Sequence, residues 1–191
     1  MTDEYSTRAD SRQPIVAVMG SGREEHPELT GPLGEWIAGR GCHLLTGGGG
    51  GVMAAVSRSF HSVEGRLGRS IGVLPGNPAA GEPGTPGGYP NPWVEIPVRT
   101  HLPLSGERGR EAMSRNHLNV LTADAIVALP GGAGTRSEVE LALEYRRPLM
   151  CWLGENGTIA GLEEGMAPLA GSFEELADFL EREIGPPGDR L

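Results

Sequence analysis

Lysine is absent from this 191-residue chain, so all 16 of its Lys and Arg positions are arginines. That excludes a pyridoxal cofactor held as a lysine Schiff base. Cysteine is scarce: Cys42 and Cys151 lie far apart with no C-x-x-C spacing, and both are expected to be reduced and buried in two different strands. Long apolar runs are also missing. Met1 to Gln13 is polar, with no signal-peptide core, and no stretch approaches the length of a membrane span. The expectation is a cytoplasmic protein with one domain over 14–184 and flexible tails at 1–13 and 185–191. Positive charge is in deficit, 16 basic against 25 acidic residues for a net charge of -9, which repels a nucleic-acid backbone or an anionic membrane surface. A small ligand held by local donors is the expected partner. The five histidines form no i,i+4 pair and no Cys/His spacing, so no metal site is expected, and no G-x-S-x-G elbow offers a serine nucleophile.

What the chain has is glycine, 31 residues of it, concentrated where apolar runs end. The run 14–19 reads as a buried parallel strand leaving into Gly20-Ser21-Gly22. Helical spacing of Leu29, Leu33, Trp36 and Ile37 predicts a helix over 28–40; a strand follows at 42–46, then Gly47 to Gly51 and a helix over 52–60. A third strand is expected at 70–74. From Pro75 to Pro92 glycine and proline forbid a regular element, and the next strand is expected at 93–96. The remaining pattern predicts a helix over 111–121 with Met113, His117, Leu118 and Leu121 near one face, then a strand at 124–129. It continues with a helix from Thr135 to Tyr145, a strand at 148–153 and a helix over 173–183 opened by the capping box Ser172 to Glu175. Strands alternating with helices imply an α/β, Rossmann-like, open and mostly parallel sheet with helices on both faces.

In such sheets a ligand lies outside the carboxyl ends of the strands, where three glycine turns are placed here. The turn Pro130-Gly131-Gly132-Ala133-Gly134-Thr135 carries the most chemistry. Its glycines let backbone N–H groups approach an anion, the following helix adds free N–H groups and a favourable dipole end, and Thr135 adds a hydroxyl. Gly131, Gly132, Gly134 and Thr135 are therefore the candidate phosphate binders. Gly20 and Ser21 in the first turn, and Gly49 and Gly50 in the second, are candidates for further ligand contacts, the second run reading equally as a flexible turn. The first turn lacks the third glycine of the dinucleotide fingerprint, so no nicotinamide or flavin is inferred. Glu138 has two readings: partner of Thr135 in a capping box, or a carboxylate facing the ligand crevice. Arg115 likewise reads as a solvated surface arginine or as a site residue.

The string Pro130-Gly-Gly-Ala-Gly-Thr-Arg-Ser-Glu138 resembles the P-G-G-x-G-T-x-x-E motif of the LOG superfamily, once labelled lysine decarboxylase-like. The likeness extends from Ile15 to about Leu153 and includes Gly20, Gly51-Val-Met53, Ile71-Gly-Val-Leu-Pro75 and Arg115. It implies a Rossmann-like homodimer or homotetramer and hydrolysis of the N-glycosidic bond of a nucleoside 5'-monophosphate, with no cofactor required. Carried over, the Gly131 turn would hold the 5'-phosphate and Arg115 and Glu138 would be the catalytic pair. LOG enzymes carry His-Glu-Arg-Lys around the arginine, whereas this chain has Met113-Ser114-Arg115-Asn116. Arg115-Asn116, with Ala123-Asp124 entering the strand, looks more like the molybdenum-cofactor carrier-like branch. That likeness implies a carrier whose ligand is the molybdenum cofactor or another phosphorylated small molecule, with Asn116 near it. A nucleotide-sensing module is a third reading of the same residues.

Overall fold

The computed structural model describes residues 12–77 and 86–185. The expected tails, apart from Arg12, Gln13 and Gly185, and the middle of the 75–92 segment lie outside the described residues. Six strands, β1 (Ile15–Met19), β2 (His43–Thr46), β3 (Ser70–Leu74), β4 (Ile96–Arg99), β5 (Ala125–Ala128) and β6 (Leu149–Cys151), form one sheet in the order β4-β3-β2-β1-β5-β6. Every pairing is parallel. The helices are α1 (Pro27–Gly39), α2 (Val52–Ser62), α3 (Asn116–Thr122), α4 (Ala133–Glu144) and α5 (Phe173–Ile184). This is the Rossmann-like α/β architecture the alternation implies.

The central strands are apolar on both sides because helices cover both sides. Successive side chains alternate: Val16, Val18, Val127 and Leu129 pack with Leu33 and Ile37 of α1, Val56 and Phe60 of α2, and Leu176 and Leu180 of α5. Ala17, Met19, Ile126 and Ala128 face the opposite way, against Val120 of α3 and Val139 and Ala142 of α4. Each fully buried Val, Leu or Ile contributes about 1.5–3 kcal/mol relative to exposure. Neither cysteine is in a disulfide and both are buried, as their spacing suggested. Strand order reverses between β1 and β5, so the crevice opens at the ends of those two strands.

Several boundaries move. The edge strand is Ile96–Arg99 rather than 93–96, because Asn91 holds the preceding segment in a turn: its N–H donates to the Gly48 carbonyl, and the Trp93 N–H donates to its Oδ1. The helix expected over 111–121 begins only at Asn116, since residues 111–114 close a turn through the Ser114 N–H and Glu111 carbonyl. Its apolar face is also misassigned: Met113, Leu118 and Leu121 are exposed, and Asn116, Asn119 and Val120 are buried. Helix α4 starts at Ala133, before Thr135. In α5 Ser172 Oγ accepts from the Glu175 N–H as a cap, while the Glu175 carboxylate reaches one residue further back than expected, to the Gly171 N–H. Arg12, placed in a tail by sequence, donates through both terminal nitrogens to Asp124, whose Oδ2 also accepts the Ile15 N–H.

Candidate functional site

The two strand ends flanking the reversal are tied together. The Leu129 N–H donates to the Met19 carbonyl and the Ser21 N–H to the Pro130 carbonyl, at 2.8 and 2.9 Å. This brings Gly20-Ser21 against Gly131. A Cβ on Gly131 would stand 3.0 Å from the Ser21 nitrogen and would strike the Thr135 hydroxyl, so only glycine allows the two turns to close on one another. The contact divides the crevice into two hollows.

The first, about 210 Å³, is lined by Gly20, Arg115, Asn116, Gly134, Thr135 and Glu138, and also by Met53, Tyr89 and Gly106. The second, about 360 Å³, takes Ser21, Gly131 and Gly132 together with Thr158. The expected site residues are thus gathered at one end of the sheet but shared between two hollows. Gly49 and Gly50 line neither; Gly49 lies behind the wall of the first, where a Cβ would stand 2.9 Å from the Tyr89 ring.

At the start of α4, Gly132 occupies the cap position in an extended conformation. The amides of Ala133, Gly134 and Thr135 have no carbonyl one turn earlier within the helix, which leaves donors and the positive dipole end facing the crevice. The Gly131 N–H is spent on the Thr158 carbonyl at 3.0 Å. Gly131 therefore serves closeness, and the helix-start amides are the available anion donors.

Glu138 is not the partner of a Thr135 cap, because Thr135 already lies within the first turn and is 2% exposed. Its carboxylate points into the first hollow, with Oε1 accepting from Asn119 Nδ2 at 2.8 Å. Burial pushes this carboxyl above its ordinary pKa, opposed by the positive charge of Arg115 and by the Asn119 amide. The group thus holds a proton more readily than a surface glutamate.

Arg115 immediately precedes α3 and is 6% exposed, which rules out the solvated-surface reading. Its Nη1 donates to the carbonyls of Gly47 and Val73, at 2.8 and 2.5 Å, clamping the ends of β2 and β3. Among the described residues its Nε is buried with no hydrogen-bond partner. Asn116 donates from Nδ2 to Ser137 Oγ at 3.0 Å, and Ser137 in turn donates to the Gly134 carbonyl at 2.8 Å. Asn116 thereby steadies the helix start as well as lining the cavity.

Sequence reasoning missed Tyr89, Met53, Gly106 and Asn119. Tyr89 is one of only three tyrosines and stands alone among glycines and prolines, a signal in retrospect. Asn119 gave none, since a polar residue on a short helix reads as solvated. Among the described residues no group of three or more His, Cys, Asp or Glu side chains converges as a metal site would, and no helix is long and apolar enough to cross a membrane.

The fold is shared with known proteins. The molybdenum cofactor binding protein from Rippkaea orientalis is 28% identical, with a TM-score of 0.67 over 90% of this chain and 97% of its own. The molybdenum cofactor carrier protein from Chlamydomonas reinhardtii is 27% identical, with a TM-score of 0.65 over 90% of this chain and 98% of its own. An uncharacterized protein from Archaeoglobus fulgidus is 29% identical over 131 residues, 68% of this chain and 73% of its own. These likenesses agree with the LOG and molybdenum-cofactor carrier-like superfamily indicated by the Gly131 motif. The model of the SLOG cluster4 family matches residues 13–167, and the chain belongs to that family.

Proposed function

We propose that this protein binds a phosphorylated small molecule, with the phosphate at the amides that open α4 and the remainder of the ligand directed toward Arg115 and Glu138. The observation that carries this reading is the convergence of the α4 start, Arg115 and Glu138 on the first hollow, at the point where strand order reverses. On the first reading the ligand is a nucleoside 5'-monophosphate and the protein hydrolyses it. Water attacks C1', the bond from C1' to the base nitrogen breaks, and the base leaves with a proton, giving ribose 5-phosphate. Glu138 would supply that proton, or stabilise the oxocarbenium-like carbon when ionised. Arg115, anchored by two carbonyls, would keep its positive charge fixed beside the sugar phosphate.

The second reading, a carrier for the molybdenum cofactor or a related phosphorylated pterin, is favoured by the two similar solved proteins and by Arg115-Asn116 in place of the LOG string. Both readings need the same phosphate contacts, and they part at turnover. Purified protein incubated with a panel of nucleoside monophosphates is expected to release free base and ribose 5-phosphate on the first reading. Binding without release, together with a pterin retained from cells, would replace it with the second. Glu138→Gln keeps an acceptor for Asn119 but removes the acid; turnover surviving it at the wild-type rate would end the catalytic role. A homodimer or homotetramer is part of the proposal, supported by the exposed apolar side chains Met113, Leu118 and Leu121 beside α4, where Leu143 is also exposed. Light scattering of the purified protein tests it.

A further inference from the structure

The first hollow is polar along α4 and the α3 start, and apolar where Tyr89 and Met53 line it. There Tyr89 and the Met53 methyl both pack on Gly49, where a Cβ would lie 2.9 Å from the ring and 2.8 Å from the methyl. The ring is set in place by built contacts. Asn91, 6% exposed, donates its Nδ2 to the Gly49 carbonyl at 2.9 Å and its N–H to the Gly48 carbonyl at 2.8 Å, locking the segment around Tyr89 onto the glycine run. The Arg115 guanidinium carbon lies 5.8 Å from the ring centroid, within the range of a cation–π contact. The ring is thus held by Arg115 and Gly49 and still lines the cavity.

An aromatic face beside a soft thioether side chain recognises flat, polarisable rings, whereas the phosphate and sugar are served by the polar side. We infer that Tyr89 is a specificity-determining residue, the wall on which a planar heterocycle attached to the phosphate-bearing group stacks. This rests on the proposed binding of a phosphorylated small molecule in the same hollow. It selects nucleotides and phosphorylated pterins over simple sugar phosphates. It also gives the Gly47–Gly51 run a purpose, since a side chain at Gly49 would displace the ring.

The test is equilibrium binding by calorimetry of AMP, a pterin monophosphate and ribose 5-phosphate to the wild type, Tyr89→Ala and Tyr89→Phe, with circular dichroism confirming that each variant is folded. Tyr89→Ala is expected to weaken whichever heterocyclic ligand the wild type binds by about tenfold, from the usual strength of ring stacking on an aromatic side chain. Ribose 5-phosphate affinity should stay unchanged, and Tyr89→Phe should keep heterocycle binding. Equal weakening of ribose 5-phosphate and the heterocyclic ligand by Tyr89→Ala would show that the ring only props the wall, and would overturn the inference. So would no weakening at all. A wild type that binds none of the three overturns the underlying reading instead, and the inference with it.

Discussion

Two glycine-rich turns, Gly47–Gly51 after β2 and Gly131–Gly134 after β5, look alike in sequence and do different work. The first is a seat for other residues. Its Gly47 carbonyl takes Arg115, its Gly48 and Gly49 carbonyls take Asn91, and its Gly49 surface takes Tyr89. The second opens a helix, and apart from the Gly131 N–H its donors at Ala133 to Thr135 are left to the crevice. Glycine after a strand thus licenses close approach in general; whether side chains or a ligand make the approach depends on the next stretch of backbone. Both turns run into a helix, α2 and α4, but the Val52 N–H that opens α2 is spent on the Ser21 carbonyl, whereas the amides that open α4 are left to the crevice.

The largest effect should come from removing the clamp on the first turn. Arg115→Ala deletes two buried charge-assisted hydrogen bonds, and unfolding in urea should show a loss of about 3 kcal/mol, together with loss of ligand binding. A stability change near zero would mean that the first turn does not depend on its seat. Next comes a matched pair. Gly49→Ala drives a methyl into Tyr89 and Met53 and should cost about 1–3 kcal/mol. Among the described residues a Cβ at Gly132 meets nothing within 4 Å, so Gly132→Val should change stability by about 1 kcal/mol or less while abolishing phosphate-dependent thermal stabilisation. If both substitutions act alike, the distinction between the turns fails.

A smaller effect is expected at Asn119. Asn119→Ala leaves Glu138 Oε1 without its donor, costs about 1–2 kcal/mol in unfolding experiments, and should move the pH profile of ligand binding upward, because a donor that favours the ionised carboxylate is gone. The smallest effects are in the pH dependence of stability, and two carboxylates give opposite signs. Burial raises Glu138 in the folded state, so its effect on stability worsens as pH rises from the unfolded carboxylate value to the folded one. Glu138→Gln should therefore gain on the wild type across that rise in urea midpoints. Burial also pushes Asp124 upward, but the Arg12 hydrogen bond, the Ile15 N–H and the charges of Arg12 and Arg147 outweigh it and leave the carboxyl low. Its contribution is present above the unfolded value and is lost as pH falls through the folded one, a loss that Asp124→Asn should abolish.

Much of the fold was legible in the chain. Apolar runs that end in glycine mark parallel strands, because a strand buried on both faces needs apolar side chains on both and a tight exit at its carboxyl end. The errors fell where a turn intervened that the apolar pattern does not record. Trp93 is held out of a strand by Asn91 and the glycine turn beyond it, and Met113 out of a helix by the turn that Glu111 closes. At the site, the Gly131 motif was visible from its spacing and Arg115 through the family resemblance, while Asn119 was not visible, since its partner is 19 positions away.

The sequence by itself determined the parallel sheet, the reversal-point crevice that such a sheet creates, and the glycine turn with a helix behind it, since each of these depends on patterns a few residues long. Only the tertiary structure decided that Glu138 turns inward to Asn119 instead of capping its own helix, that Arg115 clamps two strand ends, and that Tyr89 forms a wall of the cavity. Those roles are set by which buried donors and acceptors meet across the folded chain, and a buried polar group takes the partner that packing delivers.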